Sequence, residues 1–192
     1  TIETSTPLTT DGSLILYTWN DAEGKKAFWH STSHVMAQVL EEMFPGIQLT
    51  LGPAIANGFY YDVDFGDQKI TEADFKAIES RILEISKEKH EFKMRAVTKA
   101  EALETYKDNV YKTELISNLE DGTITFCDHA TFTDLCRGGH IPNTSIIKAV
   151  KIMSVAGAYW RGDEKNKQLT RVYGTSFPKQ KDLTEYLELL EE

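Results

Sequence analysis

The 192 residues contain two short pairings of groups that bind metals or move protons. "HSTSH" sets His30 and His34 four apart, and "CRGGH" does the same for Cys136 and His140. On a helix, an i, i+4 pair lies one turn apart on a single face. The second pair cannot share a helix comfortably, because adjacent Gly138 and Gly139 cost about 2 kcal/mol there relative to alanine. The expected geometry is a strand ending at Cys136 and a tight turn that swings His140 back. Strand alternation then puts Phe132, Asp134 and Cys136 on one face, with Asp134 able to orient a protonated partner or a water. Three imidazoles and a thiol are ligand types that zinc prefers. The same groups could surround a water-filled pocket that hydrolyses an ester. Spacing leaves both open. The plain alternatives are two solvated histidines on a helix and a small buried hydrophobe at Cys136. Cys127 and His129 read as core residues, and His90 as a favourable charge near a helix end.

The elements that would carry these groups follow from periodicity. A helix is expected from about Trp29 to Phe44, with Val35, Met36, Val39, Leu40, Met43 and Phe44 as its apolar face and Pro45-Gly46 ending it. On that wheel His30 and His34 fall opposite the apolar arc, beside Gln38 and Glu41, and so outside the core. "SLILYTW" reads as a short strand, and Asn57-Gly58 as the tip of a hairpin followed by alternating Phe59, Tyr61, Val63 and Phe65. A second helix from Thr71 to about His90 would bury Phe75, Ile78, Ile82 and Ile85, and Thr98 with Glu101 forms the capping box of a third. Further strands are expected in "TITFC", "TFTDLC" and "AVKIMSVAGAYW". Helices and strands mix without regular alternation, which predicts an α+β fold with a mostly antiparallel sheet and packed helices.

Composition excludes several classes. No run approaches the roughly 18 apolar residues of a membrane span, and the first 30 residues have no leader pattern, so the cytoplasm is expected. Two cysteines provide no disulfide framework. A net charge of −9 argues against nonspecific nucleic-acid binding by the whole surface. Between Ile141 and Lys181, however, eight lysines and arginines face only Asp163 and Glu164, a local charge of +6 that leaves −15 elsewhere. The chain starts at Thr1 and stops within "KDLTEYLELLEE", where Leu183, Tyr186, Leu187 and Leu190 have helical spacing. A fragment of a longer protein is the expectation.

Beyond the two pairs, "LGPAIANGFYYDVD", "YKTELI", "DLCRGGHIPN" and "GAYWRGDEKNKQLTRVYGTSFP" are distinctive words. With H-x-x-x-H and C-x-x-x-H about a hundred residues apart, they resemble the editing domain shared by threonyl- and alanyl-tRNA synthetases and free-standing alanyl editing proteins. Within that superfamily the words are similar to the bacterial threonyl enzyme, from about Trp29 to the last residue. One departure is Gly139, where the family usually has proline, which leaves the turn before His140 looser. The resemblance implies residues 1–20 as the tail of a preceding small domain, 21–180 as the editing domain, and 181–192 as the start of a helix leading to an aminoacylation core.

The implied activity is hydrolysis of the ester in mischarged seryl-tRNA(Thr), while the full-length enzyme ligates threonine to tRNA(Thr) using ATP. Serine lacks one methyl of threonine, a difference worth only about 1 to 3 kcal/mol in a pocket, so a second sieve is needed. By position, the resemblance places His30, His34, Lys112, Cys136 and His140 in the catalytic site and Tyr61 and Asp134 around the substrate. His30 and Cys136 would position or deprotonate water, Lys112 would stabilise charge on the terminal ribose or leaving oxygen, and Asp134 would hold the substrate ammonium. Read from the residues alone, Tyr61 is equally a core aromatic and Lys112 a solvated strand-edge lysine. Lys148, Lys151 and Arg161 are expected to meet tRNA phosphates. The resemblance implies no metal for editing, with ATP and zinc confined to the absent core and the full-length enzyme a homodimer. The rivals are a zinc-dependent alanyl-type editing protein and a non-catalytic zinc and RNA-binding module, either using His30, His34, Cys136 and His140 as ligands. Structural zinc sites usually draw on pairs of cysteines, which this cluster lacks.

Overall fold

The computed structural model describes residues 1–192 and shows the expected α+β architecture. Two antiparallel sheets flank a long helix. The larger sheet is ordered β1 (Gln48–Leu49), β3 (Gly58–Asp64), β8 (Gln168–Phe177), β7 (Ala149–Tyr159), with β2 (Ala54–Ile55) also paired to β3. The smaller is β4 (Lys93–Ala96), β5 (Thr125–His129), β6 (Phe132–Leu135). Five helices complete the fold: α1 (Ala22–Met43), α2 (Glu72–Lys87), α3 (Lys99–Thr105), α4 (Val110–Ser117) and α5 (Gln180–Glu191).

Helix α1 is the axis of the molecule. It begins seven residues before the expected start, because "AEGKKA" has no apolar period to betray a helix. Asp21 supplies the N-cap residue, and its carboxylate accepts from the Thr18 N–H at 2.7 Å. Val35, Met36, Val39 and Leu40 are fully buried against α2 and the larger sheet, as the wheel predicts. The opposite face is not solvated. The smaller sheet covers it, with His129 Nε2 on Gln38 Oε1 at 2.9 Å and the Phe132 ring 6.3 Å from that of His34. Every residue from Ser31 to Leu40 is therefore buried, and the expectation that both histidines lie outside the core is corrected for His34, 2% exposed. A helix wheel shows which face is apolar and cannot show that a second layer will cover the polar one.

The hairpin forms as expected, with Asn57 at φ 59° and Ala54 opposite Phe59. Thr71 and Asp74 cap α2 reciprocally, and α2 buries the four predicted apolar residues. It ends at Lys87, short of His90, as Lys89 turns to φ 56°. Thr98 caps α3 by accepting from the Glu101 N–H, but the Glu101 carboxylate turns to Arg95 rather than back to the cap. His90 sits beyond α2 with Nε2 2.5 Å from Glu88.

"SLILYTW" is not a strand. Leu14, Ile15 and Leu16 are 64, 69 and 71% exposed and pair with nothing, since a strand needs a partner edge whatever its side chains favour. Only its end is anchored: Trp19 packs edge-on against Phe28, Trp29 and Phe177 at 4.9, 5.5 and 5.6 Å between ring centres.

Candidate active site

The two pairs converge. Cys136 Sγ lies 3.1 Å from His140 Nε2 and 3.7 Å from His30 Nε2, and ligand atoms of all four residues fall within 4.8 Å of one another. Cys136 directly follows β6 and the Gly138-Gly139 turn brings His140 back, both glycines having left-handed φ of 95° and 86°. The Phe132, Asp134, Cys136 face of β6 points inward as alternation requires.

Hydrogen bonds assign the imidazole tautomers. The Nδ1–H of His30 donates to the Gly139 carbonyl at 3.3 Å, which leaves Nε2 as an acceptor. The Ser31 hydroxyl gives its hydrogen to the Ala27 carbonyl, so His140 Nδ1–H donates to Ser31 Oγ at 2.9 Å and His140 Nε2 is likewise an acceptor. The Cys136 thiol can therefore donate to His140 Nε2, leaving His30 Nε2 free. Burial pushes the thiol up to about 12 and holds His30, His34 and His140 below the usual histidine range, so all four are neutral at pH 7. His34 Nε2 is 3.6 Å from Asp134 Oδ2, and its buried Nδ1 has no partner. His140 stacks between Phe92, at 5.0 Å, and His30, at 4.3 Å.

Beside this cluster is a buried ionic network. Lys112 and Asp134 are 1% and 2% exposed, with Nζ to Oδ1 at 2.5 Å. Tyr61 bridges them, accepting from Lys112 Nζ at 3.2 Å and donating to Asp134 Oδ2 at 2.7 Å. The expectation of a solvated strand-edge lysine at Lys112 is corrected. It lies in α4, which Asn109 starts by accepting from the N–H groups of Tyr111 and Lys112, and its ammonium points into the molecule. Tyr61 satisfies both readings at once, as its ring is core and its hydroxyl belongs to the network. Its ring also explains Gly52, where any Cβ would sit 2.1 Å from it.

A cavity of about 900 Å³ is lined by His30, His34, Tyr61, Lys112, Asp134 and Cys136. His140 is not part of the lining; it stands behind Cys136 and fixes it. Arg137, Arg161 and Arg171 also line the cavity. The three expected phosphate contacts are not one surface. Lys148 and Lys151 lie at the start of β7, and Arg161 follows its far end, about 30 Å away at strand rise. Acids from outside the basic stretch neutralise much of it: Arg171 is held by both oxygens of Asp62, Lys167 by Asp64, Lys151 by Glu79 and Arg161 by Glu114. Sequence reading missed Ser31, which orients His140 and accepts from the Ile141 N–H at 3.0 Å, and Arg137, exposed at the cavity. "HSTSH" contained the first signal, a small hydroxyl residue beside a candidate ligand.

The donor set fits zinc in kind. Tetrahedral ligands on zinc stand roughly 3.4 to 3.8 Å apart, so the 4.8 Å maximum would have to contract by about 1 Å. His30, His34, Cys136 and His140 would hold such an ion, which when bound would supply a Lewis acid for activating water.

This antiparallel α+β frame, with its buried His/His/Cys/His cluster beside a cavity, defines a class that comparison makes explicit. Residues 124–173 match the family described as the threonyl and alanyl tRNA synthetase second additional domain. More particularly, the chain is 91% identical over 192 residues to a threonine–tRNA ligase of Flavobacterium johnsoniae and 88% identical over 192 residues to that of Flavobacterium psychrophilum. The match to the Cytophaga hutchinsonii threonine–tRNA ligase is 53% over 192 residues. These alignments cover 99 to 100% of this chain but only 30% of each relative. No helix is long and apolar enough to cross a membrane.

Proposed function

We propose that this domain is an aminoacyl-tRNA deacylase that hydrolyses the serine ester of mischarged seryl-tRNA(Thr). The observation that carries the reading is the free His30 Nε2 in a cavity shared with the Lys112–Tyr61–Asp134 network. A water beside His30 Nε2 gives up its proton to the imidazole as its oxygen attacks the ester carbonyl. The C–O bond to the terminal ribose then breaks, and the proton passes from His30 to the departing ribose oxygen. A neutral imidazole is the form needed at the start, and burial keeps His30 in it. Lys112 offers a fixed positive charge to the developing oxyanion or leaving oxygen, without reorganisation because Asp134 and Tyr61 hold it. Asp134 keeps unused lone pairs for the substrate ammonium. Cys136 donates toward His140 and lines the water position rather than attacking, since a thiol raised to about 12 is a poor nucleophile at neutral pH.

The wider reading follows the similarity to threonine–tRNA ligases. The whole protein would charge tRNA(Thr) with threonine using ATP in the cytoplasm as a homodimer, and residues 21–180 would be its editing unit between a preceding domain's tail, 1–20, and the helix 181–192 leading onward. The test is release of labelled serine from seryl-tRNA(Thr) by the purified chain, compared with labelled threonine from threonyl-tRNA(Thr). Serine should be released and the threonyl ester spared. Equal hydrolysis of the two, or of neither, overturns the proposal.

A further inference from the structure

The base His30 is aimed by a single peptide. Its Nδ1–H donates to the carbonyl of Gly139, which belongs to the Gly139–His140 peptide. In a trans peptide the N–H points the opposite way from the carbonyl. That N–H, of His140, donates to Glu3 Oε2 at 3.2 Å, and the preceding N–H, of Gly139, donates to Glu3 Oε1 at 2.7 Å. Both are accepted by one carboxylate, that of Glu3, 136 residues before Gly139 in the chain. Residues 136–140 belong to no helix or strand, and Gly138 and Gly139 carry no Cβ to resist rotation. Nothing in the sheet ladders holds the peptide. If it turned over, an N–H would face His30 Nδ1, favouring the tautomer with hydrogen on Nε2, which cannot accept a proton from water.

We propose that Glu3 is a positioning residue: its carboxylate latches the Gly139–His140 peptide so that the carbonyl faces His30 and Nε2 remains the free base. A charged acceptor shared by two amides is stronger than a neutral one, and a chelating pair fixes orientation as well as position. Gly139 is essential to the device, because a proline there has no N–H and its φ near −65° cannot replace +86°. The consequence for catalysis rests on the deacylase reading, whereas the latch itself does not.

The experiment uses the 192-residue chain and its Glu3→Ala and Glu3→Gln variants. Amide hydrogen exchange at Gly139 and His140 and the ¹⁵N shifts of the His30 ring are measured beside kcat, KM and melting temperature on seryl-tRNA(Thr). In Glu3→Ala both amides should exchange at least about tenfold faster, the loss expected for bonds to a charged group. The His30 signals should move toward the Nε2–H tautomer, and kcat should fall about tenfold at unchanged KM, with the melting temperature within about 2 °C. Glu3→Gln, which keeps one carbonyl oxygen, should fall between. Unchanged exchange and tautomer in Glu3→Ala refute the latch whatever the activity. A changed tautomer with unchanged kcat refutes its role in catalysis. A parent chain with no hydrolysis refutes the deacylase reading, and the magnetic resonance data still decide the latch.

Discussion

Lys112→Met tests the buried network most directly. Methionine matches the length of the lysine stem but removes the charge that balances Asp134, leaving a carboxylate 2% exposed with Tyr61 as its one strong donor. Breaking one side of a buried pair is strongly destabilising, on the order of 3–5 kcal/mol, because the remaining charge stays desolvated. For a chain of this size 1 kcal/mol moves the melting temperature by about 2–4 °C, so a drop of roughly 6–20 °C is expected. The informative comparison is the double variant Lys112→Met, Asp134→Leu. Removing both charges from the same site should recover most of the stability while leaving hydrolysis absent. Urea unfolding of the parent, both single variants and the double gives the coupling energy of the cycle. A Lys112→Met loss below about 1 kcal/mol, or strict additivity in the double, would refute the claim that the two charges stabilise one another in a dry site.

Three other outcomes are expected. Stability should decline as pH falls below 6.5, because His30, His34, His129 and His140 are all held below that value when folded while the unfolded chain takes up protons there; His129 alone, at about 4, contributes about 3 kcal/mol by pH 4, and a melting temperature flat from pH 7 to 5 would contradict this. Arg137→Gln and Arg161→Gln should each lower the salt slope of tRNA binding by about one, whereas Lys148→Gln with Lys151→Gln, at the start of β7 and away from the cavity, should leave it unchanged; the reverse pattern would move the tRNA path. Hydrolysis should survive dialysis against a chelator, measured with metal content on the same sample, and loss that zinc alone restores would give the His/His/Cys/His cluster to a metal.

Much of the frame was legible because it rests on local chemistry. Asn57-Gly58 can hardly be anything but a tight turn, and the spacing of Phe75, Ile78, Ile82 and Ile85 leaves α2 one face to bury. Each of the two pairs, His30 with His34 and Cys136 with His140, was visible as a pair, and the resemblance named the residues around it. Their surroundings were not, because these depend on contacts spanning a hundred residues: the smaller sheet that buries His34, the bond from Ser31 to His140, the carboxylate of Glu3 on the glycine turn. Helix α4 was missed since "VYKTELIS" has no marked apolar side, and with it the inward course of Lys112. "SLILYTW" failed in the other direction, as strand-forming side chains are insufficient without an edge to join.

The order of strands in the larger sheet has a bearing on how this domain is made in the cell. Strand β8, the last of this sheet in chain order, is an interior strand, lying between β3 and β7. Until residues 168–177 emerge, β3 and β7 have no common neighbour, and the sheet is two unjoined pieces with open edges. A nascent chain that already carries His30, Lys112 and Cys136 thus has the parts of the site without the wall that holds them. Synthesis at about 5–20 residues per second leaves roughly 7–30 seconds between the first histidine and the completed closing strand. During that interval the half-built domain exposes unpaired backbone, a substrate for chaperones and a target for proteases. Truncation before Phe177 should therefore remove the whole fold rather than one edge of it.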